Sequence, residues 1–186
     1  MVTIASLWLP ILVASVFVWI ASALIWTVLP HHKSDYKKLP DEDAARAALL
    51  PQDLKPGMYN IPHVETQSEM KDAEAQKKFS NGPVAYMTVL SKGVPGMGKN
   101  MMLSFIYYLI VSVFVAYLAS RFLGMSADYL SVFRLTGTVS WLAYGFAIFP
   151  DSIWFGRPWS STFKNLMDAL VYALLTAGTF GWLWPN

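Results

Sequence analysis

The sequence predicts an all-α integral membrane protein, and two observations support this. Hydrophobic residues make up 55% of the 186 residues and charged residues only 14%, whereas a soluble domain carries about 25% charged residues. Of the 26 charged side chains, 19 lie between residues 31 and 100. Because the rest of the chain cannot cover a water-exposed surface with polar groups, we predict a bundle of four transmembrane helices. A mostly helical or irregular cytoplasmic insertion separates helices 1 and 2.

The first predicted span covers residues 4–29, which carry no charged side chain. A bilayer core about 30 Å thick requires about 20 helical residues, so this segment is long enough. Ala21-Ser22-Ala23 resembles a signal-peptide cleavage site, but no Lys or Arg precedes the segment and apolar residues continue beyond it. We therefore expect a retained span.

Three further apolar segments predict the other spans, at residues 101–121, 129–149 and 166–184. A short connection follows the second span, and residues 150–165 form a connection that we place at the membrane interface. Only helices satisfy their backbone groups within one segment in lipid, so four such segments predict a compact helical bundle.

Residues 30–100 form the polar insertion. Pro40 and three following acidic residues predict a helix that ends before Pro51, and residues 65–79 predict a second helix. Residues 84–90 are apolar and could form a strand or lie on the membrane surface. The insertion has too few apolar residues to form a core that would make it stable alone. We therefore expect it to rest on the helix ends or on a partner.

Basic residues predict the orientation. Near the spans, seven lie on the side of the insertion and only Arg121 lies on the other side; the seven are Lys33, Lys37, Lys38, Lys92, Lys99, Arg157 and Lys164. The positive-inside rule therefore places the insertion in the cytoplasm and both termini outside.

Several functional classes are excluded or disfavoured. The absence of cysteine excludes thiolate metal sites and disulfides, and a net charge of +2 predicts no nucleic-acid partner. Residues 93–99 fit the phosphate-binding pattern G-x-x-x-x-G-K, but Asn100 stands where a Ser or Thr hydroxyl should bind magnesium. We therefore interpret this loop as an entry to the second span, and we predict no cofactor.

Three histidines are candidate metal ligands, namely His31, His32 and His63, with Asp35 as an additional oxygen ligand. No H-x-x-x-H spacing is present, and adjacent histidines are expected to point in different directions. The favoured interpretation is that His31 and His32 flank the first span among the lipid headgroups.

Two ionisable residues lie within predicted spans. Arg134 could face a cavity and bind an anionic ligand or lipid, snorkel to the membrane surface, or pair with a neighbouring subunit. Asp168 follows Lys164 by four residues, and this spacing predicts an ion pair on one helix face.

Small residues recur at helical spacing in the last three spans, and they predict close helix packing within the bundle or between subunits. The predicted packing residues are Ala169, Ala173, Ala177 and Gly181 in the fourth span, Ser112, Ala116 and Ser120 in the second, and Gly137 and Gly145 in the third.

Three stretches resemble a family of uncharacterised bacterial inner-membrane proteins of similar length. They are HHKSDYKKLPDED after the first span, DYLSVFR at residues 128–134, and LVYALLTAG at residues 170–178. The resemblance implies a bacterial inner membrane, and hence periplasmic termini. It implies no activity and no functional residue.

The function we predict is a non-catalytic membrane subunit or scaffold. It would lie in the lipid bilayer and assemble through its small-residue faces with itself or with a larger membrane complex. The alternative is an oligomeric channel or transporter with Arg134 facing the pathway. A metal-binding or enzymatic protein that uses the histidines is a more distant hypothesis.

Overall fold

The computed structural model describes residues 2–94 and 96–185, and these form two compact units. One unit combines residues 1–36 with residues 96–186, and the other is residues 37–95. The first contains five α-helices, which are α1 (Trp8–Thr27), α4 (Met97–Phe122), α5 (Tyr129–Gly145), α6 (Phe149–Trp154) and α7 (Trp159–Trp182). The second contains α2 (Glu42–Leu49), α3 (Ala73–Asn81), β1 (Gly57–Ile61) and β2 (Ala85–Val89).

Among the described residues, three helical segments are long and apolar enough to cross a membrane, and they correspond to the first three predicted spans. They are Ala5–Thr27, Met97–Phe122 and Tyr129–Trp154. The membrane-compatible, predominantly helical character predicted from the sequence is thereby confirmed.

The third of these segments is interrupted. The α-helix ends at Gly145, a 3₁₀ turn covers Phe146–Ile148, and α6 follows. Pro150 lies in the first turn of α6, where its missing N–H removes no helical hydrogen bond.

The last helix, α7, differs from the prediction at its start. It begins at Trp159, about two turns before the predicted residue 166. Its first turns carry Ser, Thr, Lys and Asn side chains, so its amino-terminal part lacks the apolar character from which a span was predicted. Because α6 extends to Trp154 and α7 begins at Trp159, most of the predicted interfacial connection, residues 150–165, is helical.

The four long helices pack in a ring. Helix α7 packs most extensively against α5, and α1 packs against both α7 and α4, while α4 also packs against α5. Large buried side chains fill the centre, among them Leu7, Val115, Val132 and Phe180. Each helix thus buries one face against two neighbours and leaves large apolar side chains on the outside.

The unit of residues 37–95 has little core, as its composition predicts. None of its described side chains is buried. The α2 helix is capped by Asp41, whose carboxylate accepts from Ala44 N at 2.9 Å. Strands β1 and β2 pair antiparallel with Gly57 opposite Val89. We did not predict β1, because the five residues between Pro56 and Pro62 carry a weak strand pattern.

Candidate functional site

The strongest concentration of buried charge lies where α1 ends. After α1, Pro30–Asp35 form a short 3₁₀ helix that begins with proline, whose fixed φ suits a first helical position. A 3₁₀ helix has three residues per turn, so His32 and Asp35 share one face. Their side chains are hydrogen bonded, with 2.7 Å between His32 Nδ1 and Asp35 Oδ2.

Asp168 of α7 joins this segment through both carboxylate oxygens. Oδ1 lies 3.1 Å from His31 Nε2, and Oδ2 lies 2.6 Å from His32 Nε2. The predicted pairing of Asp168 with Lys164 is therefore wrong. The two histidine rings reach one carboxylate together, with ring centroids 4.1 Å apart, so the expected divergence of adjacent histidines is also wrong for this tight helix.

Lys164 contacts the 3₁₀ segment instead. Its Nζ donates to Asp35 Oδ1 at 2.8 Å, to the His31 carbonyl at 2.6 Å and to Ser34 Oγ at 2.8 Å. Lys164 and Asp168, one turn apart on α7, therefore both contact the segment Pro30–Asp35. Lys164 pairs with Asp35 there, and Asp168 pairs with the two histidines. We call His31, His32, Asp35, Lys164 and Asp168 the His-Asp cluster.

The central histidine of the cluster is buried between two carboxylates. The His32 side chain is 5% exposed, and those of Asp35 and Asp168 are 7% and 9% exposed. An ionised carboxylate only accepts hydrogen bonds, so both His32 ring nitrogens must carry a proton if both carboxylates are ionised. Lys164 places a positive charge beside Asp35, which offsets part of the buried negative charge of the two acids.

The pKa of Asp35 is lowered from 3.8 to about 2. Desolvation raises the pKa of this carboxyl, but hydrogen bonds from Lys164, His32 and Ser161 together outweigh it, with a further contribution from the Lys164 charge. Asp35 is accordingly ionised at neutral pH.

Aromatic side chains surround the cluster. The indole of Trp26 stacks on the His32 ring, with centroids 3.9 Å apart and planes 2° from parallel. Deeper in the bundle, the rings of Tyr108, Tyr144 and Tyr172 come from three helices and lie about 6 Å apart. Tyr172 follows Asp168 by four residues, so this tyrosine layer lies one helical turn inward from the cluster.

The cluster contains the atoms of a possible metal site. One ligand atom each from His31, His32 and Asp168 lie within 4.8 Å of one another. His63, the third predicted metal ligand, belongs to the unit of residues 37–95, where its Nδ1 lies 2.8 Å from Asn60 Oδ1. The sequence did not indicate Asp168 as a ligand, because 136 residues separate it from His32. Its position as an acidic residue within an apolar segment was nevertheless a signal that could have identified it as a candidate.

The small residues of α7 line its contact with α5. A Cβ added at Gly137 would lie 3.1 Å from Ala177 Cβ, and one added at Gly145 would lie 3.1 Å from Ala169 Cβ. A Cβ at Gly181 would lie 2.6 Å from the ring of Tyr129. The two helices are therefore antiparallel and close together within one chain, along what we call the α5–α7 seam.

The remaining predicted packing residues lie in the same bundle. Ala169, Ala173 and Ala177 are buried. On α4, Ser112 and Ala116 are buried, and the Ser120 hydroxyl donates to the Tyr117 carbonyl at 2.7 Å.

Arg134 lies on the outer surface of the bundle. It is exposed and lines a groove of about 250 Å³ between α5 and α7, together with Phe133, Thr138, Trp141 and Leu170. Within the part of the chain that the structure describes, Arg134 makes no ion pair or side-chain hydrogen bond. It lies five residues into α5, about 7.5 Å along the helix axis.

The phosphate-binding pattern leads into a helix rather than a phosphate-binding loop. Gly98 and Lys99 already belong to the first turn of α4, and the described strands form only the antiparallel β1–β2 pair. Pro95 lies outside the described residues.

Comparison of the chain with protein-family models, with curated proteins and with solved structures gives no match.

Proposed function

We propose that this protein is a four-span membrane subunit without a catalytic site of its own, which assembles with other membrane helices through the groove that contains Arg134. The partner is a second copy of the chain or another subunit of a larger membrane complex.

The fourth crossing in this proposal is α7. Its 24 residues extend about 36 Å, which exceeds the hydrocarbon thickness. It packs along α5 and α1, and both of these belong to segments that are apolar enough to cross a membrane. Its charged residues, Lys164 and Asp168, lie in its first half and are paired with the 3₁₀ segment.

The observation that carries the proposal is the unpaired position of Arg134. An arginine side chain costs about 2.5–3.5 kcal/mol at the centre of a membrane helix on insertion scales, and less at the position of Arg134, about 7.5 Å from the start of α5. Ionisable residues inside a membrane segment usually face a protein partner or a water-filled cavity. Arg134 faces outward, so its own bundle provides no such environment. An acidic side chain or a carbonyl from a neighbouring subunit would satisfy it.

The small residues of the α5–α7 seam are already used within the chain. The assembly surface that we propose is therefore the adjacent groove and not the small-residue stripe of α7. Gly137 and Thr138 are small residues that line this groove beside Arg134, and small residues would let another helix approach closely.

The location that we propose is a bacterial inner membrane, with the unit of residues 37–95 in the cytoplasm and both termini in the periplasm. The seven-to-one excess of nearby Lys and Arg on the side of the insertion supports this orientation.

The decisive experiment is a mass measurement of the particle in lipid nanodiscs or mild detergent. We expect the wild-type chain to purify as an oligomer or with a partner subunit, and Arg134→Leu to dissociate that assembly. Arg121→Leu is the matched control, because Arg121 is exposed at the end of α4 and lies over the Tyr117 ring, 5.3 Å from its centroid. A monomeric wild type without any co-purifying protein would refute the proposal.

The second candidate is a channel or transporter formed by several copies. The outward position of Arg134 favours a pathway between subunits over one through a single bundle, and its charge would favour anions. Anion flux into liposomes that disappears in Arg134→Ala but persists in Arg121→Ala would support this candidate over a purely structural subunit.

A further inference from the structure

We propose that His31, His32 and Asp168 form a binding site for a divalent transition metal ion such as Zn²⁺, with Asp35 orienting His32. This site joins the end of α1 to α7. It differs from the set of three histidines considered from the sequence, because Asp168 takes the place of His63.

The donor set is appropriate for such an ion. Two imidazole nitrogens and one carboxylate are ligands that zinc and neighbouring divalent metals accept in proteins. The three ligand atoms come from two different helical segments and already lie within 4.8 Å of one another.

The separations of the ligand atoms are close to those that a metal would impose. Two ligands about 2.0–2.1 Å from a tetrahedral zinc are about 3.3 Å apart. The distance between His31 Nε2 and Asp168 Oδ1 is 3.1 Å. The contact of His32 Nε2 with Asp168 Oδ2, at 2.6 Å, would open by less than about 1 Å, which a rotation of the carboxylate accomplishes.

The contact between His32 and Asp35 selects the coordinating nitrogen. Asp35 accepts a hydrogen bond from Nδ1 at 2.7 Å, so the Nδ1 proton is fixed and Nε2 points toward Asp168. Metal-binding histidines commonly donate their other ring N–H to a carboxylate in this way. Lys164 holds the second oxygen of Asp35, so the orienting carboxylate is itself fixed.

The ligand side chains are held in place, and the site is open to solvent on one side. His32 and Asp168 are buried, and Trp26 stacked on His32 fixes its ring plane. The His31 side chain is 32% exposed, so an ion can enter from that side, and water can complete the coordination. A metal held there would act as a clip between α1 and α7 and not as a catalytic centre of the proposed subunit.

The test is calorimetric titration of ZnCl₂ into the full chain, purified in detergent without a polyhistidine tag and treated with EDTA. We expect one Zn²⁺ per chain with a dissociation constant in the micromolar range or below. Asp168→Asn should weaken binding at least tenfold while retaining the shape of the side chain, and Asp35→Asn should weaken it about 10- to 100-fold. His63→Asn is the matched control and should bind as the wild type does.

Two further measurements keep the test decisive if Asp168→Asn fails to fold. His31→Asn removes the most exposed ligand, with its hydrogen bond to Asp168 and its ring contact with His32. This variant should remain folded and lose at least tenfold in affinity. Co²⁺ bound to the wild type should give visible absorption bands that are weak or absent in His31→Asn. No Zn²⁺ binding by the wild type, or equal affinity of folded His31→Asn, would overturn the proposal.

Discussion

The α5–α7 seam leads to a quantitative prediction for Gly137→Leu. A Cβ at this position would already lie 3.1 Å from Ala177 Cβ, whereas carbon atoms in contact are normally about 3.5–4.0 Å apart. The leucine side chain therefore has no space, and α5 and α7 must separate. The neighbouring contact between Gly145 and Ala169 would open at the same time.

The magnitude follows from two opposing effects. Overpacking at a contact this close costs about 3 kcal/mol, the upper end of the usual range. Replacement of a helical glycine by leucine returns about 1 kcal/mol of helix propensity. We expect a net loss of about 2 kcal/mol in the free energy of unfolding, equivalent to roughly a 30-fold change in the unfolding equilibrium constant.

The assay is equilibrium unfolding in mixed micelles with increasing dodecyl sulfate, followed by tryptophan fluorescence. The signal comes from all eight tryptophans of the chain; one of them, Trp141, lies in α5 beside the seam, where its indole N–H donates to the Leu166 carbonyl at 3.4 Å. Ala143→Leu is the control, because Ala143 is exposed on the same helix and should change stability by less than about 0.5 kcal/mol. Equal unfolding midpoints for the two variants would show that the seam does not hold the helices together.

Three other predictions follow, the first at the same position of the seam. Gly137→Ala should change the free energy of unfolding by less than about 0.5 kcal/mol in the same assay, because the gain in helix propensity and the tight Cβ contact nearly cancel. Hydrogen bonds from Ser131 lower the pKa of Asp128 below 3.8, so its cap stabilises α5 above that pH and loses this effect as the pH falls through the lowered pKa. Asp128→Ala should therefore lower the melting temperature at pH 7, and the difference from the wild type should shrink as the pH falls below 3.8. In the cysteine-free chain, Thr3→Cys should react with an impermeant maleimide on intact cells and Ser68→Cys only after lysis, whereas the opposite pattern would reverse the proposed orientation.

The apolar segments were predictable because they depend only on local composition. Charge-free segments of 20 residues or more predicted α1 and α4 nearly to their ends. The start of α7 was not predictable in this way, because Ser, Thr, Lys and Asn in its first turns resemble a connecting loop. Their helical conformation becomes favourable when Lys164 and Asp168 meet charged partners from the 3₁₀ segment.

The His-Asp cluster shows the limit of reasoning from sequence spacing. Lys164 and Asp168 are four residues apart, and that spacing favours an ion pair in an isolated helix. Each instead pairs with a residue more than 120 positions away, because a buried imidazole and a buried carboxylate need partners more than an exposed pair does. Long-range pairing of this kind has no local signal.

The contact between His32 and Asp168 also has a consequence for biosynthesis. At about 5–20 residues per second, the ribosome needs roughly 7–30 s to make the chain between these two residues. The imidazole groups of His31 and His32, which follow the first helix, therefore lack their partner Asp168 until α7 has been translated. Insertion factors that shelter polar groups during this interval would be expected to bind the nascent chain, and a stalled chain lacking α7 would be a natural target for membrane proteases.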